Sequence, residues 1–139
     1  MDLKPLLTDA AQRSARYLDS LQERSVAPSK DGVHDLAKFD LELQDHPMDP
    51  DAVLRELDEI GSPATMGIAG PRFFGFVMGG SLPAALAADF MTSAWDQNTG
   101  LYNVTPATAR LEQVALRWML ELLDLPRETA GVTLYNPVF

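Results

Sequence analysis

The stretch from Gly61 to Gly80 holds six of the chain's nine glycines and two of its prolines. That density constrains the fold more than any other feature. Glycine gives up the most backbone freedom on ordering, and proline has no amide to donate, so neither a long helix nor a central strand forms there. The stretch reads as an elbow with helix-patterned sequence on both sides. Within it, Arg72-Phe73-Phe74-Gly75-Phe76-Val77-Met78 is apolar and too short for a helix, and is expected as extended chain. Flanking glycines bring backbone close to a neighbour, and loops beside rigid helices commonly line pockets. The phenylalanines suit a pocket wall and a packed core equally well.

Upstream, Leu6, Leu7, Ala10, Ala11, Ser14, Tyr17, Leu18 and Leu21 recur at three- and four-residue spacings, which predicts a helix from Leu6 to Arg24. Thr8 and Asp9 are candidate caps for a later start. Ser25 to Gly32 reads as a connector, and a short helix is expected over 33–39. After the break at His46-Pro47-Met48, Asp49 is a good N-cap and Pro50 a good first helical residue. That helix should run to Ile60, stop at Gly61 and present Val53, Leu54 and Leu57 on one face.

Downstream, Ser81 or Gly80 should cap a helix from Leu82 to Trp95 with Pro83 in its first turn. This helix is apolar nearly all round and is expected to be buried. Asp96 to Val104 reads as a polar loop. Thr105-Pro106 opens a last long helix whose stripe is Leu111, Val114, Ala115, Trp118, Leu122 and Leu125, with Pro126 ending it. Gly131 to Tyr135 is expected to begin a strand, one without a pairing partner in the rest of the chain.

Composition narrows the function. A net charge of −9 with scattered basic residues argues against nucleic-acid backbones and anionic membranes as partners. The absence of cysteine removes disulfides, thiolate metal sites and a cysteine nucleophile, and it suits the cytoplasm. The N-terminus lacks the apolar core of a signal peptide, and no apolar run reaches the ~20 residues of a membrane span. His34 and His46 sit in polar connectors and read as solvated side chains rather than metal ligands. Asp49, Asp51, Glu56, Asp58 and Glu59 read as a solvated helix face. Gly79-Gly80-Ser81 fits either a plain helix cap or an anion held by backbone amides.

The run from Gly70 to Ala84, GPRFFGFVMGGSLPA, resembles the H-P-x-F-F…G-S-x-P-A segment of the group II PLP-dependent decarboxylases, which include the aromatic amino-acid and glutamate decarboxylases. Ala94-Trp95-Asp96-Gln97-Asn98-Thr99 and Thr105-Pro106-Ala107-Thr108-Ala109-Arg110-Leu111-Glu112 resemble the same family's buried helix, its loop and its S-P-x-x-T-x-L-E helix start. Trp118, the run Leu122 to Pro126, and Glu23 to Pro28 extend the likeness over nearly all of residues 5–132.

The resemblance implies a mainly α chain: an N-terminal helical segment plus the start of the large domain of a fold-type-I PLP-dependent enzyme. Residues 1–61 would be the dimerisation segment, and 62–139 the pocket-lining elbow and the helices leading into the large domain. A PLP-dependent amino-acid decarboxylase, a homodimer acting on a small-molecule amino acid, is the implied enzyme. The implied substrate-binding positions are Phe76, Met78 and Gly79 in the elbow, and Asn98, Gly100 and Tyr102 in the loop. The sequence departs from the family pattern at Gly70, where the family has His, and at Gly79, where it often has Thr. Polar neighbours are replaced by Phe76 and Met78, which leans toward an aromatic or other apolar substrate. Residues 133–139 do not look like the family's phosphate cup. Lys4, Lys30 and Lys38 all precede the pocket segment, and none sits where the family's Schiff-base lysine would be. No catalytic, cofactor-binding or metal-binding residue is therefore assigned, and the chain alone is expected to bind no PLP. The competing reading is a stand-alone helical self-association module without catalytic activity. A small unrelated enzyme built around Trp95-Asp96 is a more distant third.

Overall fold

The computed structural model describes residues 2–78, 80–98 and 100–128, and regular structure among them is entirely helical. The α-helices are α1 (Leu3–Ser20), α2 (Lys30–Asp35), α3 (Pro50–Glu56), α4 (Pro83–Trp95) and α5 (Pro106–Leu122). They belong to two compact units, Met1–Ser81 and Leu82–Phe139.

In the first unit, α1 begins earlier than the periodicity suggests. The Asp2 carboxylate accepts from the Lys4 amide at 3.1 Å and caps the helix, so Thr8 and Asp9 lie inside it. The expected connector before residue 33 is also shorter. Ser29 Oγ accepts from the Gly32 amide at 2.9 Å and starts α2 at Lys30, and a 3-10 turn, Leu36–Phe39, follows. Asp49 caps α3 as expected, accepting from the Asp51 amide at 2.9 Å. Beyond Glu56 the helix widens into one π turn, Leu57–Gly61, and then tightens into a 3-10 turn, Ser62–Ala64.

A polar seam joins α1 to these turns. Arg13 donates from Nε to Asp9 at 2.7 Å and from Nη1 to Asp58 at 3.0 Å. The bond to Asp9, and then the bond to Asp58, raise the Arg13 pKa above its ordinary value against the opposing effect of desolvation. Ser62 Oγ donates to the other Asp58 oxygen at 2.9 Å. Arg24 donates to the Ser62 carbonyl at 2.7 Å while its guanidinium lies 4.9 Å from the centre of the Tyr17 ring. The Tyr17 hydroxyl shares a 2.8 Å hydrogen bond with Thr65.

Close backbone approach completes the unit. A Cβ on Gly32 would sit 2.8 Å from the Pro63 carbonyl carbon and oxygen, so α2 meets the Ser62–Ala64 turn only because that position has no side chain. Leu21, 6 % exposed, is the buried apolar anchor. A Cβ on Gly70 would fall 3.3 Å from the Leu21 carbonyl oxygen, so the turn at 67–70 closes directly over that residue.

The run Arg72 to Met78 is not extended. It is a succession of turns, with Phe73 N–H bonded to the Gly70 carbonyl at 3.3 Å and Met78 N–H to the Gly75 carbonyl at 3.3 Å. An extended segment needs a neighbouring strand for its amides, and the described residues supply none. Phe76 and Val77, the central residues of the last turn, have φ of 55° and 56°. Two successive positive φ values mark the mirror-image hairpin turn normally carried by Asn-Gly. In L-residues this geometry crowds Cβ against the following carbonyl, and β-branched Val77 suffers most.

In the second unit, Pro83 occupies the first turn of α4 as expected, but the N-cap is Leu82 and no side chain caps it. Asp96, at φ 48°, ends α4 in the left-handed region. Thr105-Pro106 opens α5 as expected. The burial expected here does not occur. No residue of α4 is buried, and Leu111, Trp118 and Leu122 of the α5 stripe are exposed, as is Leu125, which lies beyond the helix because α5 ends at Leu122 and not at Pro126. Ala109 and Leu120 are the buried apolar residues of this unit among those described. The described residues of this unit form two helices and a loop, and they leave the apolar surface of α4 uncovered. The strand expected over Gly131 to Tyr135 lies outside the described residues.

Two stability measurements follow. Asp58→Ala removes an acceptor shared by Arg13 and Ser62 and should lower folding stability by about 1–2 kcal/mol in chemical denaturation followed by circular dichroism. Asp35→Ala breaks only the exposed pair with Lys38 and should cost ~0.5 kcal/mol or less. Equal effects would rule out the seam as the main tie. Val77→Gly relieves roughly 1–2 kcal/mol of left-handed strain and adds about 0.5–1 kcal/mol of unfolded-chain entropy. The net expectation is a modest rise in the denaturation midpoint, and a fall would contradict the strained turn.

Candidate functional site

The residues singled out from the sequence fall into two clusters, one in each unit. Phe76 and Met78 share the turn that ends the elbow. The Phe76 side chain is 75 % exposed and Met78 is 53 % exposed. The Phe73 ring stacks on Phe76 with centroids 6.4 Å apart and planes 28° apart, which steadies the Phe76 ring from behind. Upstream, Arg72 donates to the Arg24 carbonyl at 2.6 Å and ties the elbow to the turn that follows α1. With Phe74 and Val77 also exposed, the tip is an apolar projection without a titratable group. It can shape and desolvate a ligand but cannot move a proton. Gly79 lies outside the described residues.

In the second unit, Asn98 and Gly100 form a small turn. The Asn98 side-chain oxygen accepts from the Gly100 amide at 3.2 Å, the familiar way asparagine replaces a backbone turn contact. Tyr102 follows, 41 % exposed. This loop is held by a residue that sequence reasoning placed only as a helix cap. Thr105 is 3 % exposed, and its hydroxyl lies 3.0 Å from the Asn98 carbonyl oxygen and 3.1 Å from that of Leu101. It makes no side-chain cap bond to α5 and is turned back on the loop instead. The Thr-Pro pair signalled the helix start, and nothing in the sequence marked the backward reach.

PLP needs a lysine amine for its aldehyde and a cradle for its phosphate. Lys4 lies on α1, Lys30 on α2, and Lys38 in the following 3-10 turn, ion-paired to Asp35 at 2.8 Å. None belongs to the elbow or the 98–105 loop. Among the described residues there is also no group of histidine, aspartate and glutamate side chains fit to hold a metal ion. No helix of the described residues is long and apolar enough to cross a membrane.

Residues 33–135 match the family model described as the pyridoxal-dependent decarboxylase conserved domain. The chain is 28% identical over 127 residues to tryptophan decarboxylase 1 of Oryza sativa subsp. japonica, an alignment covering 90% of this chain and 24% of that protein. It is 26% identical over 112 residues to aromatic-L-amino-acid decarboxylase of Rattus norvegicus, covering 81% of this chain and 23% of that one. The chain thus spans about a quarter of the length of the curated relatives it matches. With the family model covering most of its length, the chain belongs to the group II PLP-dependent decarboxylase family.

Proposed function

We propose that this chain is the N-terminal part of a PLP-dependent carboxy-lyase that decarboxylates an aromatic amino acid. The observation that carries the reading is its alignment, over most of its own length, with one quarter of two enzymes named for tryptophan and aromatic amino acids. In the complete enzyme PLP would act as the electron sink for loss of CO2. This segment would contribute shape. Phe76, Met78 and Gly79 would form an apolar wall against the substrate side chain, and Asn98, Gly100 and Tyr102 would reach the pocket of a second subunit. Residues 1–61 would supply dimer contacts, and 62–139 would lead into the large domain. The cofactor's lysine and phosphate cradle would lie in the remaining three quarters, leaving this segment inactive alone. The cysteine-free composition supports a cytoplasmic setting.

The test uses the complete enzyme. CO2 release should be fastest from an aromatic amino acid. Phe76→Ala should raise KM about tenfold with kcat changed far less, because a lost apolar wall removes binding shared by ground and transition states. The 139-residue chain mixed with PLP should show no protein-bound cofactor absorbance. A stoichiometric cofactor band from that chain, or an enzyme indifferent to every aromatic amino acid, would defeat the proposal.

The exposed apolar surfaces of α4 and α5 favour a second reading, a helical module that self-associates without catalysis. Light scattering after size exclusion would show a dimer or larger species at micromolar concentration. A clean monomer there counts against it.

A further inference from the structure

Thr105 stands between the loop of residues 100–104 and α5, and its backbone belongs to the helix. The Thr105 carbonyl accepts from the Ala109 amide at 3.2 Å and from the Thr108 hydroxyl at 3.0 Å, which closes the first turn of α5 on it. Pro106 restricts the next φ and has no amide, so this junction is stiff. Thr105 and Ala109 are both buried. A side chain anchored in this way is a fixed point from which a loop can be held.

The two carbonyls that face this hydroxyl are held differently. The Leu101 carbonyl accepts from the Val104 amide at 3.1 Å and from the Thr105 amide at 3.0 Å, so the main chain alone keeps it in place. The Asn98 carbonyl has no such support. Among the described residues its hydrogen bond is the one from the Thr105 hydroxyl, at 3.0 Å. The same hydroxyl donates to the Leu101 carbonyl at 3.1 Å, so one proton is shared between two acceptors. Asn98 in turn fixes Gly100, whose amide donates to its side-chain oxygen at 3.2 Å. Removing the hydroxyl therefore leaves Leu101 satisfied and frees Asn98. A threonine at a helix N-cap ordinarily accepts from an amide of the first turn with this oxygen. Here that bond is absent, and the hydroxyl is directed at the loop instead.

We propose that Thr105 is a positioning residue for substrate binding: through the Asn98 carbonyl it sets where Asn98 and Gly100 stand. The inference rests on the decarboxylase reading, in which these two residues meet the substrate. Thr105 itself touches no substrate and moves no proton. It holds the Asn98–Gly100 turn in its binding arrangement before substrate arrives, so that binding does not have to order it. Serine keeps the donor, and valine keeps the branched shape without it. The two substitutions therefore separate the hydroxyl from the volume it fills.

Two measurements test this. The first is amide relaxation on the isotope-labelled 139-residue chain. Thr105→Val should lower the order parameters of Asn98 and Gly100 from roughly 0.85 to below about 0.6, with Leu101 and the α5 amides unchanged. Thr105→Ser should behave as the parent does. The second is kinetics of the complete enzyme on its best amino-acid substrate. Thr105→Val should raise KM about fivefold with kcat changed less than about twofold, the effect of one hydrogen bond on binding. Thr105→Ser should restore the parent value. Thr108→Val, which removes the neighbouring hydroxyl bonded to the Thr105 carbonyl, should leave KM unchanged. A merely structural threonine would lower the denaturation midpoint in Thr105→Val without moving KM or the Asn98 amide, and that result overturns the proposal. So does a serine variant as impaired as the valine one, or a loss of order spread equally along α5. A parent enzyme that releases CO2 from no amino acid removes the decarboxylase reading itself. With an active parent, unchanged kinetics in Thr105→Val remove the Thr105 role alone.

Discussion

The Asp58 carboxylate is the point on which the first unit turns. One oxygen accepts from Arg13 on α1, the other from Ser62 in the next turn of its own segment. Through Ser62 the link passes to Arg24, and through Arg24 to the Tyr17 ring. The apolar contribution here is small, because Leu21 is the buried hydrophobic side chain that the described residues of this unit contain. Burial is non-directional and cannot by itself fix how a helix is set against irregular turns. Charge-assisted hydrogen bonds are directional, and they define how α1 meets the turns that follow α3. Gly32 and Gly70 then allow the backbone segments to approach closely around this seam.

The second unit has the opposite character. It holds the more hydrophobic helices, yet no residue of α4 is buried, and Leu122 at the far end of α5 is almost fully in solvent. Apolar area stabilises only when removed from water, at roughly 25 cal/mol per Å². The faces of α4 and α5 therefore represent stabilisation that this unit does not realise internally. Exposed apolar faces of this kind are suited to further packing.

The candidate site was legible in part. Glycine density located the elbow, and the apolar tip at Phe76 and Met78 follows from the same run of residues. Its geometry did not follow. Phenylalanine and valine are among the last residues expected at positive φ, so no sequence rule places the mirror-image turn at Phe76-Val77. Asn98 and Gly100 belong to a turn that their residue types suggest. The hold of Thr105 on that turn was invisible, since one hydroxyl serves a helix cap and a backward contact equally well.

The sequence alone determined the features written in a few adjacent residues. Asp49-Pro50 and Thr105-Pro106 mark helix starts because proline restricts φ and lacks the amide a first turn leaves unpaired. The elbow and the family likeness are of the same local kind. Tertiary structure decided the pairing of Arg13 with Asp58 across 45 residues, the burial of Leu21 beneath the 67–70 turn, and the exposure of α4. Each of these depends on which other segment arrives at a given surface. Periodicity reports that a face is apolar, and only the packed chain determines whether anything covers it.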